Sequence, residues 1–123
     1  MSNESTTFVI FGASGDLTRR KLIPALFNSF CKERLPDDFR IVGFARRPWD
    51  HEELREVLQQ GMKDYAADAY DEDKWHDFAA RIFYAKGDLD TKEAYARLKE
   101  QLHELEGEAS NRIYYMASSP GFF

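Results

Sequence analysis

Residues Phe8–Phe27 read Phe-Val-Ile-Phe-Gly-Ala-Ser-Gly-Asp-Leu-Thr-Arg-Arg-Lys-Leu-Ile-Pro-Ala-Leu-Phe, and this stretch decides the fold that we expect. It opens with the continuous apolar run Phe8–Phe11, which is typical of a strand buried on both faces of a parallel sheet. A turn with two glycines follows, and the spacing of apolar residues beyond it predicts an amphipathic helix over Arg20–Arg34. Pro24 lies inside that pattern, and because proline lacks an N–H we expect a bend or an irregular first turn there.

The rest of the chain continues the alternation of strands and helices. Asp50 and Glu53 form a capping-box pattern that predicts the start of a second helix. The alternation predicts an α/β fold of the Rossmann type, with a doubly wound parallel sheet. About four strands are recognisable where this type of sheet has about six, so residues 1–123 are interpreted as one truncated dinucleotide-binding domain. The further predicted elements are strands at Phe39–Phe44, Arg81–Ala85 and Asn111–Ala117, and helices at about Asp73–Ala79 and Thr91–Leu105.

Composition and charge narrow the class of protein. The 123 residues suffice for one domain, and 43% of them are hydrophobic, as in globular proteins. A net charge of −5 argues against general nucleic-acid binding, which needs a basic face. Cys31 is the single cysteine, so no disulfide can form within the chain, and a reducing, cytoplasmic location is expected. No apolar run approaches the roughly 20 residues that span a bilayer, and the polar start lacks a signal-peptide core, so no membrane partner is expected.

The glycine turn between the first strand and the first helix is the candidate ligand site. Gly12 permits a tight turn, and Gly15 lets a pyrophosphate approach the backbone without meeting a side chain. The positive end of the following helix and the N–H groups from Ser14 to about Thr18 would attract phosphate, with the Ser14 hydroxyl as a further donor. The pattern is G-x-x-G rather than the usual G-x-G-x-x-G, and a turn without a ligand is the alternative.

Charged residues follow the turn directly. Asp16 would repel a pyrophosphate, so we expect it to cap the next helical turn by accepting hydrogen bonds from free N–H groups. Arg19, Arg20 and Lys21 form either a phosphate-binding cluster or a solvated basic stretch, and the solvated alternative is favoured for Arg19 and Lys21.

Arg46 follows the predicted second strand and bears on the choice of cofactor. Enzymes of this fold that use NAD carry Asp or Glu at this place to bind the ribose 2′-hydroxyl, whereas Arg suits the 2′-phosphate of NADP. Ala45, Arg46 and Arg47 occupy this position here, and the first acidic residue after the predicted second strand is Asp50. The sequence therefore favours NADP over NAD, with a solvated surface arginine as the alternative.

The remaining reactive side chains receive structural interpretations. Cys31 lies near the apolar face of the first helix and is expected to be a buried thiol rather than a nucleophile. Trp49 and Trp75 are interpreted as packing residues. The segment Ser118–Pro120 either lines the cofactor cleft or ends the fourth strand. Surface positions without metal-ligand spacing are predicted for the three histidines, His51, His76 and His103, so no metal site is expected.

The chain resembles the glucose-6-phosphate dehydrogenases over nearly its whole length. The resemblance rests on the block Gly-Ala-Ser-Gly-Asp-Leu at 12–17 with the basic triplet after it and Pro24 in the helix. Ile41–Arg46 resembles the second strand of that family and its cofactor arginine, and Asn111–Ala117 with Pro120 resembles its fourth strand. The similarity is weakest over about Asp50–His76.

The resemblance implies an enzyme whose whole form is an oxidoreductase of glucose metabolism. Such enzymes transfer a hydride from C1 of glucose 6-phosphate to NADP, give 6-phosphogluconolactone, open the pentose phosphate pathway and act as dimers or tetramers. Phe123 corresponds loosely to a further cofactor-side aromatic. The cofactor-binding positions that the resemblance implies are Gly12, Ala13, Ser14, Gly15, Asp16, Leu17, Thr18, Arg19 and Arg46.

No catalytic residue is expected within residues 1–123. The family's Glu-Lys-Pro-Phe-Gly and Arg-Ile-Asp-His-Tyr-Leu-Gly-Lys stretches do not occur in them, and neither does its substrate-binding α+β domain. We therefore interpret the chain as the N-terminal part of such an enzyme, unable to turn over alone. Two alternatives come from other classes. One is a non-catalytic dinucleotide-binding or sensing module. The other is a short-chain reductase or epimerase, which we disfavour because that class predicts a Tyr-x-x-x-Lys pair and we identify none.

Overall fold

Four parallel strands form one sheet in the computed structural model, which describes residues 6–13, 15–36, 38–87, 92–106 and 111–116. The strands are β1 Thr6–Phe11, β2 Phe39–Ala45, β3 Ile82–Lys86 and β4 Asn111–Met116. Their order in the sheet is β3-β2-β1-β4, so the chain leaves β1 on one side and returns to its other side at β4. Ligands of such sheets bind at the carboxyl ends of the strands where the order reverses. The predicted α/β fold with a parallel sheet is confirmed.

Helices cover both faces of the sheet. They are α1 Ile23–Cys31, α2 His51–Tyr65, α3 Glu72–Ala79 and α4 Lys92–Glu106, with a 3-10 turn at Ala67–Ala69. On one face α1, α2 and α3 pack on strand residues such as Ile10 and Ile41, and on the other face α4 packs on Val9 and Val42. Full burial of each large apolar side chain contributes about 1.5–3 kcal/mol. This arrangement confirms the predicted double winding.

The irregular first turn expected from Pro24 is a π-helical segment, Thr18–Leu22, that precedes α1. The N–H of Ile23 donates to the carbonyl of Thr18, five residues back, and Pro24 then stands in the first turn of α1. Proline has no N–H to continue a regular helical ladder, so the chain widens before it. The predicted end of this helix at Arg34 is wrong, because Glu33 adopts a left-handed backbone conformation (φ 56°) and the helix ends at Cys31.

Several local predictions can be compared directly with the structure. The capping box of α2 is confirmed, because the Glu53 N–H donates to Asp50 Oδ1 at 2.8 Å and the Asp50 N–H donates to Glu53 Oε1 at 3.3 Å.

Trp75 is buried, and Trp49 packs half-buried against the core. Cys31 is half-buried rather than buried, and the loss of hydration raises the pKa of its thiol, which favours the unreactive form. Within the described ranges, no helix combines the length and apolar character needed to cross a bilayer.

Candidate functional site

The turn after β1 is anchored to the end of β2. Gly12 has φ 84°, a backbone conformation that L side chains rarely adopt, so glycine is required there. The N–H groups of Gly12 and Ala13 both donate to the carbonyl of Phe44, at 2.9 and 3.2 Å. Two adjacent strands therefore fix the path of the chain as it leaves the sheet at its carboxyl edge.

Gly43 lets the turn lie directly on β2. A Cβ at Gly43 would stand 2.7 Å from Ala13 Cβ and 2.9 Å from Leu54 Cδ2, both far inside normal contact distance. The sequence analysis did not single out this residue. The sequence feature that could have identified it is a lone glycine among the apolar residues of a strand. Such a glycine indicates that another part of the chain approaches the strand closely.

The first helical turn after Gly15 presents two backbone donors. The Gly15 N–H itself donates to the Gly12 carbonyl at 2.9 Å, and the buried Thr18 hydroxyl donates to the same carbonyl at 3.2 Å. Fewer backbone N–H groups are therefore free than predicted, because the Gly15 N–H closes the turn and cannot also bind phosphate. The N–H groups of Asp16 and Leu17 have no hydrogen-bond partner among the described residues, and Leu17 is 48% exposed. Free amides at the start of a helix are the groups that bind phosphate.

Asp16 does not cap the helix as predicted. Its Oδ1 lies 3.0 Å from Arg19 Nη2 and its Oδ2 lies 3.5 Å from Arg20 Nη1. The reason is that Asp16 already stands in the first helical turn, where side chains three and four residues on become its neighbours. These pairs are exposed and stabilise the fold by no more than about 1 kcal/mol each. The Arg20 guanidinium also lies 5.0 Å from the centre of the Tyr65 ring.

Arg19 differs from a solvated arginine. Its side chain is 35% exposed, and its Nε is buried without a hydrogen-bond partner within the described part of the chain. A Cβ at Gly61 of α2 would stand 3.1 Å from Arg19 Cβ, so that glycine makes room for the arginine stem. A buried N–H donor without a partner is costly unless a ligand or water satisfies it. The favoured interpretation of Arg19 as a surface residue is corrected accordingly.

Arg46 stands at the same edge of the sheet. It follows β2 directly, two residues after the Phe44 carbonyl that anchors the glycine turn. Its side chain is exposed and makes no hydrogen bond or ion pair with other residues in the described ranges. The adjacent positions Ala45, Arg47 and Pro48 add no carboxylate, so the charge of Arg46 is available to an anionic ligand.

Tyr84 supports the loop that carries Arg46. Its hydroxyl lies 3.1 Å from the carbonyl of Ala45 and 2.6 Å from the carbonyl of Arg47. The side chain is buried, and burial raises the pKa of Tyr84 to about 12 although the charge of Arg47 lowers it in part. Sequence reasoning missed this residue, because nothing in the alternating strand pattern shows which tyrosine reaches a neighbouring loop.

These features fit a dinucleotide. The free amides of Asp16 and Leu17 are donors suited to a pyrophosphate, and the Arg19 guanidinium, whose Nη2 lies 3.0 Å from Asp16 Oδ1, adds positive charge beside them. Arg46 offers a bidentate donor for a further phosphate. Among the described residues, no group of three or more side chains could hold a metal ion.

The three histidines are exposed, as predicted, but His51 has a structural role that the sequence analysis did not foresee. Its Nδ1 accepts a hydrogen bond from the backbone N–H of Tyr84. Ser14, the segment Ser118–Pro120 and Phe123 lie outside the described residues, so the predictions for them remain predictions.

The exclusion of a short-chain reductase by spacing was wrong. The Tyr-x-x-x-Lys spacing occurs twice, at Tyr70–Lys74 and Tyr95–Lys99. The Tyr70 hydroxyl accepts a hydrogen bond from Gln59, and the Tyr95 ring stacks on Phe44 with 6.3 Å between the ring centres. The spacing of tyrosine and lysine therefore does not exclude that class.

Comparisons with known proteins agree with the geometry. Residues 9–123 match the family described as glucose-6-phosphate dehydrogenase, NAD binding domain. The chain is 41% identical over 122 residues to a glucose-6-phosphate 1-dehydrogenase of Schizosaccharomyces pombe, covering 98% of the chain and 24% of that protein. It is 40% identical over 118 residues to the one of Chlamydia pneumoniae, covering 94% of the chain and 23% of that protein.

A solved structure gives the same relation in three dimensions. It is a glucose-6-phosphate dehydrogenase in complex with its substrate glucose 6-phosphate, and it matches with a TM-score of 0.85 at 35% identity. The match covers 98% of the chain and 25% of that structure. The chain thus spans about a quarter of the length of the relatives it matches.

Proposed function

The chain belongs to the glucose-6-phosphate dehydrogenase family, in its NAD-binding domain, and on that premise we propose that it binds NADP at the glycine turn and Arg46. The observation that carries the proposal is the pair of free amides of Asp16 and Leu17 at the carboxyl edge of β1. They stand where the strand order reverses, which is the ligand crevice of this fold.

We infer distinct roles for the parts of the site. The amides of Asp16 and Leu17 hold the pyrophosphate, with the Arg19 guanidinium, which pairs with Asp16, as a positive charge beside them. All nine residues that the resemblance implies belong to this proposal. Gly12, Ala13, Gly15 and Thr18 shape the turn, and we propose the Ser14 hydroxyl as a further donor to the phosphate. Arg46 reads the 2′-phosphate, which favours NADP over NAD.

The whole protein is proposed to oxidise glucose 6-phosphate to 6-phosphogluconolactone, the first step of the pentose phosphate pathway. The bound nicotinamide would accept the hydride, and residues 1–123 would place and orient it. We propose that the residues that bind the sugar phosphate and remove its proton lie outside residues 1–123. That is consistent with a chain that spans about a quarter of its relatives' length. A cytoplasmic location and a dimeric or tetrameric whole enzyme belong to the same proposal.

A non-catalytic dinucleotide-sensing module is the weaker alternative. It shares the glycine turn, and the similarity of the chain to dehydrogenases over 98% of its length favours the enzyme.

Nuclear magnetic resonance of the ¹⁵N-labelled chain tests the proposed site. Titration with NADP should shift the amide resonances of Asp16 and Leu17 more than that of Leu102, which is buried in α4 on the opposite face of the sheet from α1. Shifts confined to α4, or no shift at all, would contradict the proposal.

A further inference from the structure

Tyr84 binds the backbone on both sides of Arg46. Its hydroxyl lies 3.1 Å from the Ala45 carbonyl and 2.6 Å from the Arg47 carbonyl, so the two acceptors flank Arg46 in the chain. The Arg46 side chain itself is exposed and has no partner in the described ranges. The direction in which Arg46 leaves the loop is therefore fixed through its backbone rather than through a side-chain contact.

The same tyrosine contacts the next part of the loop. The Tyr84 ring lies 6.1 Å from the Trp49 ring at an interplanar angle of 46°. Pro48 restricts the backbone between the two contacts, and the capping box at Asp50 then begins α2. Few conformations remain for the loop between β2 and α2 while these contacts persist.

Tyr84 is itself held firmly in β3. Its N–H donates to His51 Nδ1 at 2.7 Å, and its carbonyl accepts a hydrogen bond from Gln101 Nε2 at 3.0 Å. The side chain is 5% exposed, so the ring cannot leave its place without opening the core. The hydroxyl is a fixed point for the loop because both the strand and the ring are fixed.

We propose that Tyr84 is a positioning residue that sets the preference of this chain for a 2′-phosphorylated dinucleotide. It holds the backbone of Arg46 in the binding geometry before the ligand arrives. A group that is pre-organised loses less conformational freedom on binding and therefore binds its ligand more tightly. The inference rests on the proposed function, since it requires that Arg46 reads the 2′-phosphate.

The test replaces the hydroxyl alone, by Tyr84→Phe. Tyr70→Phe is the matched control, because it removes a hydroxyl that accepts a hydrogen bond from Gln59 at 2.7 Å, and Tyr70 is not bonded to the loop. Calorimetric titrations with NADP and with NAD give the ratio of the two dissociation constants. We expect Tyr84→Phe to weaken NADP binding about three- to tenfold, which corresponds to the loss of one hydrogen bond, and to change NAD binding less than about twofold.

A second readout needs no cofactor. Hydrogen–deuterium exchange of the ligand-free protein should become faster at Arg46 and Arg47 in Tyr84→Phe and stay unchanged there in Tyr70→Phe. The double variant Arg46→Ala with Tyr84→Phe should show the same ratio of NADP to NAD affinity as Arg46→Ala alone, because Tyr84 acts through Arg46.

The outcomes separate the two proposals. If Arg46→Ala leaves the ratio unchanged, the assigned role of Arg46 is wrong, and the role of Tyr84 falls with it. If Arg46→Ala lowers the ratio while Tyr84→Phe does not, the inference about Tyr84 alone is overturned. Equal weakening of both cofactors by Tyr84→Phe, or a change in ratio in Tyr70→Phe, also overturns it, because either result indicates general loosening of the fold.

Discussion

The Nδ1 atom of His51 lies 2.7 Å from the backbone nitrogen of Tyr84 and accepts its hydrogen bond. The first residue of α2 thus accepts a hydrogen bond from a backbone N–H on the outer edge of β3, which is the end strand of the described sheet. Arg55 Nε donates to the Ile82 carbonyl of the same edge at 2.9 Å, and Gln101 Nε2 donates to the Tyr84 carbonyl. Side chains therefore occupy backbone groups that would otherwise be open to pairing with another strand.

Loss of the His51 acceptor should destabilise the chain modestly. We expect His51→Ala to lower the free energy of unfolding by about 0.5–1.5 kcal/mol, because the Tyr84 N–H loses its partner. The control is His76→Ala, since His76 is also an exposed histidine in a helix, where alanine has the higher helix propensity. Urea denaturation measures both. Equal effects of the two substitutions would show that the His51 bond contributes nothing.

The close approach at Gly43 should make that position intolerant of a side chain. Gly43→Ala places a methyl group 2.7 Å from Ala13 Cβ, and we expect a loss of about 1–3 kcal/mol together with weaker NADP binding, since the glycine turn must move. Gly61→Ala is the matched control: its new methyl meets Arg19 at 3.1 Å in a helix that gains propensity from alanine. Thermal unfolding should place Gly43→Ala well below Gly61→Ala, and the reverse order would contradict the packing described.

Tyr84 should make stability fall at alkaline pH. Burial raises its pKa in the folded chain to about 12 from the ordinary value of 10.0, so the folded chain retains this proton where the unfolded chain loses it. The stabilisation that the neutral Tyr84 hydroxyl gives the folded chain is complete below pH 10 and is lost as the pH rises through 12. The total loss in the free energy of unfolding is about 2–3 kcal/mol. Urea midpoints at about pH 9 and about pH 11.5 should fall further in the wild type than in Tyr84→Phe, which has no phenol. Parallel declines would contradict the burial of the neutral hydroxyl.

Arg19 and Arg20 should differ in their effect on cofactor binding, although both pair with Asp16. Arg19→Met keeps the packed stem and removes the partly exposed guanidinium beside Asp16, so we expect NADP to bind about tenfold more weakly. Arg20→Met is the control, because the Arg20 head group is exposed and lies over the Tyr65 ring. An exposed arginine contributes little to binding an anion, so this substitution should weaken NADP binding less than about threefold. Calorimetry measures both, and an equal loss would show that only the net positive charge matters.

Most of the fold could be predicted from local patterns. The apolar run at β1, the glycine turn and the capping box at Asp50 each depend on residues close in sequence, and each is confirmed. The end of α1 could not be predicted, because the left-handed conformation of Glu33 follows no sequence signal that favours it.

The candidate site could be predicted in outline but not in its contacts. The glycine turn and Arg46 could be named as candidates because they are marked by residue type next to a strand. Gly43, Tyr84 and the orphaned Nε of Arg19 were not found or were misinterpreted, because their roles depend on neighbours distant in sequence. Asp16 was misassigned as a cap, since its position relative to the helical turn is visible only once the turn is formed.

The most direct test of the central claim is the calorimetric titration of the wild type, Arg46→Ala and Arg47→Ala with NADP and with NAD. The control removes an equally charged, exposed arginine from the next position of the loop. We predict that Arg46→Ala loses about 1.5–3 kcal/mol of NADP binding with NAD binding unchanged, and that Arg47→Ala keeps the preference for NADP. Equal binding of the two cofactors by the wild type, or the same loss in both variants, would contradict the claim that Arg46 recognises the 2′-phosphate.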